Sequence, residues 1–139
     1  MRKALAVLGV GLGFVLAAFT AQAIAQPTIT IQSATLLDDE HIQVTGTATC
    51  TTGTNIQTLF AFVLQRTANE PRDGNGSLPA APCPSDGAVT WSIVAESGGA
   101  ASTPFYWRPG RAFVRASIIE CTTTCTFASD ERNLIVRPH

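Results

Sequence analysis

The stretch HIQVTGTATC, residues 41–50, decides the fold class of this chain. Apolar or cysteine residues stand at positions 42, 44, 48 and 50, and the positions between them carry mainly glutamine and threonine. Because successive side chains of a β-strand point to opposite faces, this period of two predicts a strand with one buried and one solvated face. The threonine-rich composition around it also favours strands over helices.

The same pattern recurs on both sides of this stretch and predicts six or seven strands in all. They are expected at residues 28–32, 41–50, 57–65, 88–95, 111–121 and 126–127, with a further one at 134–136. Residues 57–65 are apolar on both faces, which predicts a central strand covered on each side. Residues 66–86 contain four prolines and two glycines and predict a long irregular loop. The whole predicts an all-β domain, a β-sandwich first and a small closed barrel as the alternative.

The first 25 residues have the layout of a secretory signal peptide. A positive pair, Arg2 and Lys3, precedes an uncharged apolar stretch over residues 4–19, and small residues follow. Cleavage is expected after Ala25 or Ala23, which leaves one domain over residues 26–139. We therefore expect a secreted protein, periplasmic or extracellular, without stable membrane insertion after cleavage. An uncleaved anchor is the alternative, since the apolar region nearly reaches membrane length.

Charge composition narrows the range of partners. The chain has nine lysines and arginines against ten carboxylates. Loss of Arg2 and Lys3 with the signal would leave seven arginines, no lysine and a net charge near −3. Such a surface does not favour nucleic acid as a partner. We expect a monomer that binds a protein or glycan partner.

The four cysteines predict two disulfides, because a small exported domain folds in an oxidising compartment. The close spacing of Cys121 and Cys125 favours a bridge at a strand end, which would leave Cys50 to pair with Cys83. A Cys50–Cys121 bridge, with the separation of the inter-sheet bridge of immunoglobulin domains, stays open. A zinc site is not indicated, since the sequence contains no C-x-x-C motif.

Several short pieces of the sequence occur in the order found in exported bacterial immunoglobulin-like β-sandwich domains. They are VTGTATC at 44–50, a strand closing on Gln65, Cys83, Trp91 and PGRAFV at 109–114. The chain resembles this group over most of residues 26–139. The resemblance implies an immunoglobulin-like antiparallel β-sandwich of six or seven strands and a Cys50–Cys83 bridge. It implies no particular activity, and the Cys121/Cys125 pair departs from the group's simplest pattern.

A second resemblance lies near the carboxyl end. The run CTTTC at 121–125, followed by TFASD, is similar to a segment of the neocarzinostatin-type apoproteins. This similarity implies a small-ligand carrier with a cleft as an alternative function. The chain departs from that pattern because Cys50 and Cys83 lie far apart, whereas the corresponding pair there closes a short loop.

No catalytic or metal-binding set is indicated. A hydrolytic triad needs a base beside a nucleophile, but His41 begins a strand next to the charged turn at 38–40 and His139 is the last residue. The alternating oxygen ligands of residues 73–77 resemble a calcium loop, but Leu78 stands where that loop needs glycine. We therefore predict a non-enzyme without metal or cofactor. A small secreted hydrolase is kept as a second alternative.

The segment FYWRPGR at 105–111 carries the best candidate for binding. Three consecutive aromatic residues cannot all face one core from an extended chain. At least one of them, Tyr106, is expected to be partly exposed beside arginines, a composition typical of binding hot spots. The alternative is that Phe105 and Trp107 plug the end of the sandwich. The candidate binding residues are Tyr106, Trp107, Arg108 and Arg111.

Overall fold

A computed structural model describes residues 25–66, 71–98 and 106–139 of the chain. The signal region before residue 25 and Phe105 lie outside these ranges. The strands of the described part are β1 (Thr28–Leu36), β2 (His41–Thr49), β3 (Asn55–Arg66), β4 (Pro71–Leu78), β5 (Ala81–Pro82), β6 (Ala88–Ser97), β7 (Gly110–Cys121) and β8 (Cys125–Pro138). Within the same ranges, no helix is long and apolar enough to cross a membrane.

Seven of these strands close into a β-barrel. Their order is β4-β6-β2-β1-β8-β7-β3, and β3 pairs again with β4 to complete the ring. The short β5 pairs only with the start of β3. Neighbours run antiparallel, except that β1 and β8 are parallel. The all-β prediction is confirmed, but the predicted immunoglobulin-like sandwich is wrong, and the fold is the closed barrel given as its alternative.

Two short pairings turn the sheet into a barrel. The four residue pairs that make them are Thr35–Arg137 and Leu36–Pro138 between β1 and β8, and Gly74–Ser97 and Asn75–Glu96 between β4 and β6. An open sandwich would leave these strand edges unpaired, whereas closure removes them. Such pairings join strands that are distant in sequence, so the period along the chain does not predict them.

Strand β4 occupies much of the segment that the sequence predicts as an irregular loop, and that prediction is wrong. Its glycines allow a close approach of the neighbouring strand. A Cβ atom on Gly74 would lie 2.1 Å from the Glu96 carbonyl oxygen and 2.7 Å from Cζ2 of Trp107. Gly74, which in the sequence suggests a loop, is therefore required for the close packing of β4 against its neighbours.

Large side chains fill the barrel interior. Among the largest buried residues are Trp91, Trp107, Ile42, Leu59 and Ile93, each at most 2% exposed. In β2 the inward positions are buried as the alternation predicts. A Cβ on Gly46 of that strand would lie 2.3 Å from Cζ2 of Trp91, so glycine makes room for the indole ring.

Both disulfides join the pairs that the cysteine spacing favours. Cys50–Cys83 has a sequence separation of 33 and ties the end of β2 to the segment after β5. Cys121–Cys125 has a separation of 4 and closes the turn between β7 and β8. Disulfides persist in oxidising compartments, so the two bridges are consistent with an extracellular or periplasmic location.

Asp130 of β8 links that strand to β1 where the two strands no longer pair. Its Oδ2 atom accepts a hydrogen bond from the Ile31 backbone N–H at 2.9 Å, and Nε of Arg132 donates to the same oxygen at 3.0 Å. Burial on its own would raise the pKa of Asp130. The hydrogen bond from Ile31 and the guanidinium of Arg132 outweigh burial and hold this pKa below its ordinary value of 3.8.

Asp130→Asn is expected to lower the free energy of unfolding by about 1–2 kcal/mol at pH 7, because a charge-assisted hydrogen bond becomes a neutral one. A carboxyl group with a lowered pKa in the fold stabilises it above the ordinary pKa of 3.8 and loses that contribution as the pH falls through the folded value. The difference between variant and wild type should therefore shrink below about pH 4. Urea unfolding at several pH values tests this, with the exposed Asp73→Asn as control. A difference that persists undiminished in acid would contradict it.

Candidate functional site

Trp107 fixes the start of the chain segment that leads into β7. Its side chain is 1% exposed. Its backbone N–H donates to the Asp39 carbonyl oxygen at 2.7 Å, and its indole Nε1–H donates to the Glu40 carbonyl oxygen at 3.1 Å. Of the sequence-predicted binding residues, Trp107 is thus a core residue whose ring is not available to a ligand.

The turn between β1 and β2 accepts both of these hydrogen bonds from Trp107. The side chain of Asp38 stabilises this turn. Asp38 Oδ1 accepts from the backbone N–H groups of Glu40 at 2.8 Å and His41 at 2.9 Å. The same oxygen lies 2.7 Å from Nδ1 of His41. The hydrogen bond from the Glu40 N–H, and then the contact with His41, lower the pKa of Asp38. The hydrogen bond to Asp38 raises the pKa of His41.

Tyr106 stands beside this turn with its side chain 50% exposed, as expected for one member of three successive aromatic residues. Nη1 of Arg72 donates a hydrogen bond to the Tyr106 carbonyl oxygen. The Trp107 N–H belongs to the same peptide unit, so both hydrogen bonds fix the backbone on the carboxyl-terminal side of Tyr106. A groove of about 430 Å³ lies here and is lined by Tyr106, Asp38, Asp39 and Glu40. The groove therefore combines one aromatic residue with the acidic turn 38–40.

The two predicted arginines do not join Tyr106 in lining this groove. Arg108 is exposed, and a side chain of β3 fixes its backbone: Nε2 of Gln65 donates to the Arg108 carbonyl oxygen at 2.7 Å. The Arg108 N–H donates in return to Oε1 of Gln65 at 3.2 Å. Arg111 lies on β7 and lines a separate groove of about 290 Å³ with Leu64 and Phe113 among its neighbours.

The carboxylates beside Tyr106 were missed as ligand-binding candidates in the sequence, where residues 38–40 predicted a solvated turn. They do form a turn, and each residue is exposed. What the sequence lacks is any sign that residues 106–107, far along the chain, return to this turn. The β1–β2 turn and the start of the segment leading to β7 meet only because the barrel places them at the same end.

A third groove, on the outer surface of the barrel, was also not predicted from the sequence. It has a volume of about 580 Å³ and is lined by Thr58, Phe60, Phe62, Asn75, Gly76, Ser77 and Arg115. Phe60 and Phe62 of β3 are half-buried rather than covered. The prediction that another layer covers both faces of this strand is therefore wrong for its outer face. The sequence does contain a sign of this apolar outer face, since β3 is apolar at successive positions.

Glu120 is a buried carboxylate for which the sequence contains no functional signal. It is 4% exposed, and its oxygens accept from the Thr51 N–H at 2.9 Å and the Thr51 hydroxyl at 3.0 Å. The hydroxyl of Thr54 donates to it at 3.2 Å. These donors satisfy the carboxylate and join β7 to the loop after β2, which is a structural role.

The contact between His41 and Asp38 is similar to that between the base and the orienting acid of a hydrolytic triad. Within the described ranges, however, the side-chain hydrogen bonds of His41 go to Asp38 and none goes to a serine hydroxyl. In the same ranges, no group of three or more His, Cys, Asp or Glu side chains is placed to hold a metal ion.

Comparisons with known proteins add little to this description. No protein-family model matches the chain. No curated protein matches it. Among solved structures, it is similar to the crystal structure of Spo0M, sporulation control protein, from Bacillus subtilis, with a TM-score of 0.29 and 13% identity over 82% of this chain and 49% of that chain. The chain spans about half the length of that protein.

Proposed function

We propose that the chain is a non-enzymatic binding protein of the cell surface or the medium, which binds carbohydrate in the groove beside Tyr106. The observation that carries this proposal is the half-exposed Tyr106, which lines a groove together with the acidic turn 38–40. Aromatic residues in such positions are typical binding hot spots.

The chemistry of the groove matches a pyranose ring. A sugar presents an apolar C–H face, which an exposed aromatic ring can cover, and hydroxyl groups, which donate hydrogen bonds to carboxylate oxygens. Asp39 and Glu40 supply such oxygens beside Tyr106. The hydrogen bonds of Arg72 to the Tyr106 carbonyl oxygen and of the Trp107 N–H to Asp39 fix the peptide unit that follows Tyr106, which lowers the conformational entropy lost on binding.

The carboxylates of the turn support binding rather than glycoside hydrolysis. A hydrolase needs two carboxyl groups on either side of the scissile bond, and one of them needs a raised pKa to act as general acid. Asp38 has a lowered pKa and is occupied with the backbone of its own turn. Its two acidic neighbours follow it directly in the same exposed turn.

The interior of the described barrel does not favour the alternative of a neocarzinostatin-type carrier. Such a protein needs a deep apolar cleft. Here Trp91, Ile42, Val44 and Val63 fill the space between the strands, each at most 2% exposed. We therefore place the ligand on the barrel end and not inside it.

Tyr106→Ala is expected to weaken carbohydrate binding at least tenfold, about 1.4 kcal/mol, because the stacking face is lost. Tyr106→Phe should bind within about threefold of wild type, since the ring remains. The test is calorimetric titration with neutral oligosaccharides of glucose, mannose, xylose and N-acetylglucosamine at millimolar concentration. Val94→Thr, at an exposed position on β6, is the matched control. The proposal fails if none of these sugars binds, or if Tyr106→Ala binds as well as wild type.

A further inference from the structure

We propose that the outer surface of the barrel holds a binding site for a small organic phosphate, a phosphate monoester of an aromatic or apolar group. The site is the groove of about 290 Å³ that is lined by Leu64, Arg66, Arg111, Ala112, Phe113 and Asn133, and we call it the two-arginine groove. It shares no lining residue with the groove beside Tyr106. The proposal therefore does not depend on carbohydrate binding.

The two-arginine groove lies where β3 and β7 separate. The register of these two strands ends at the pair formed by Leu64 and Phe113. Beyond this pair, β3 continues alongside β4 to Arg66, and β7 begins alongside β8 at Gly110. Each strand end is therefore held by its other neighbour, and the gap between the two ends forms the groove.

Arg66 and Arg111 stand on the two sides of this gap and leave the sheet on its outer face. Successive side chains of a strand alternate between the faces, and the adjoining residues Gln65 and Ala112 are each 4% exposed and so face inward. Both arginines are exposed and line the same groove. Two adjacent strands thus each supply one guanidinium group to one site. Arg111 is also one of the residues that the sequence predicts for binding.

The charge of the two arginines is not balanced within the described part of the chain. Across residues 25–66, 71–98 and 106–139, the arginines that form ion pairs are Arg115 and Arg132, and not Arg66 or Arg111. Asp73 lies on the same face, on the neighbouring strand β4, but does not line the groove. Like charges on neighbouring strands repel each other, and a bound anion would remove that repulsion.

The remaining lining of the groove is mainly apolar. Leu64 and Phe113 are directly opposed across the strands and both are half-buried. Asn133, opposite Phe113 on β8, adds an amide group. A bare inorganic anion would leave the two apolar side chains in water, whereas an aromatic or apolar group attached to the anion would cover them. Apolar lining with a few polar groups is typical of small-molecule sites.

A phosphate monoester matches both the charges and the apolar lining. It carries about 1.5–2 negative charges at pH 7, which two guanidinium groups can balance. The planar fork of each arginine donates parallel hydrogen bonds to phosphate oxygens. A carboxylate carries a single charge, for which one arginine is enough. The volume of about 290 Å³ lies near the lower limit for small-molecule sites, so we expect a ligand of about one ring.

Calorimetric titration of the purified protein with phenyl phosphate tests the proposal. We expect a dissociation constant between about 0.1 and 1 mM, the affinity that a ligand of this size commonly reaches. Inorganic phosphate should bind at least about fivefold more weakly, because it does not cover Leu64 and Phe113. Phenol should not bind at the same concentrations, because it lacks the anionic group.

Arg66→Gln and Arg111→Gln should each weaken the binding of phenyl phosphate at least about tenfold, since each removes one of the two guanidinium groups. Both residues are exposed, so the fold should persist, and near-ultraviolet circular dichroism checks this. Arg137→Gln is the matched control. It removes the same charge from an exposed arginine outside the groove, and it should leave the affinity within about twofold of wild type.

Three results would overturn the proposal. The first is no binding of phenyl phosphate at about 10 mM; binding to phosphatidylcholine vesicles that contain phosphatidic acid would then assign the groove to a membrane surface instead. The second is a loss of affinity in Arg66→Gln and Arg111→Gln no greater than in Arg137→Gln. The third is inorganic phosphate that binds as tightly as phenyl phosphate, which would show an adventitious ion only. Carbohydrate binding by the arginine variants should match wild type, which separates this failure from that of the proposed function.

Discussion

Replacing Trp107 with alanine is expected to lower the free energy of unfolding by about 3–5 kcal/mol, the cost typical of a buried tryptophan. The side chain is 1% exposed and packs close to Gly74 of β4. Its removal also leaves the Glu40 carbonyl oxygen without the indole donor. Chemical unfolding in urea measures the loss.

Two neighbouring variants serve as controls for this prediction. Trp107→Phe keeps most of the buried ring area and loses the hydrogen bond to Glu40, so it should cost about 1–2 kcal/mol. Tyr106→Ala, at a half-exposed position, should change stability by no more than about 0.5 kcal/mol. A loss below about 1 kcal/mol for Trp107→Ala would show that this residue is not the anchor of the barrel end.

Removing the Cys50–Cys83 bridge, by replacing both residues with serine, is expected to cost about 3–4 kcal/mol. The closed loop is long, with a sequence separation of 33, and the loss of chain entropy on cross-linking grows with loop length. The Cys121–Cys125 bridge closes a loop with a separation of only 4, so its removal should cost about 2 kcal/mol. Unfolding of both double variants under non-reducing conditions compares the two. The reverse order would contradict the loop-entropy argument.

Much of the local structure follows from the sequence. The continuous apolar run at residues 57–65 predicts β3. The alternation at residues 41–50 predicts β2 and its buried side, and the same pattern places β1, β6, β7 and part of β8. Each of these strands has one face against the core, so that its period of two survives in the sequence. The spacing of the cysteines likewise favours the pairing that the structure has.

The closure of the barrel does not follow from the sequence. It depends on two-residue contacts between β1 and β8 and between β4 and β6. The contact between β4 and β6 requires a strand in a segment that its prolines and glycines predict to be a loop. β6 and Trp107 approach position 74 so closely that only glycine fits there. This tertiary requirement overrides the turn preference of glycine.

The candidate site, too, follows only in part from the sequence. Local reasoning places Tyr106 at the surface, because neighbouring side chains in an extended chain point in opposite directions. It also groups Tyr106 with Arg111, since the two are close in sequence. The barrel instead carries Arg111 onto the outside of β7 and brings Tyr106 to the acidic turn. Only the three-dimensional fold reveals which charges surround the aromatic ring.

A titration of ¹⁵N-labelled protein with the tightest-binding oligosaccharide of the calorimetric panel, followed by amide chemical shifts, locates the carbohydrate site. We expect the shifts to change at the amides of residues 38–41 and 106–108, around the groove beside Tyr106. The outward face of β3 should be unaffected. Changes centred on Phe60 and Phe62 instead, or no change with any sugar at millimolar concentration, would contradict the account.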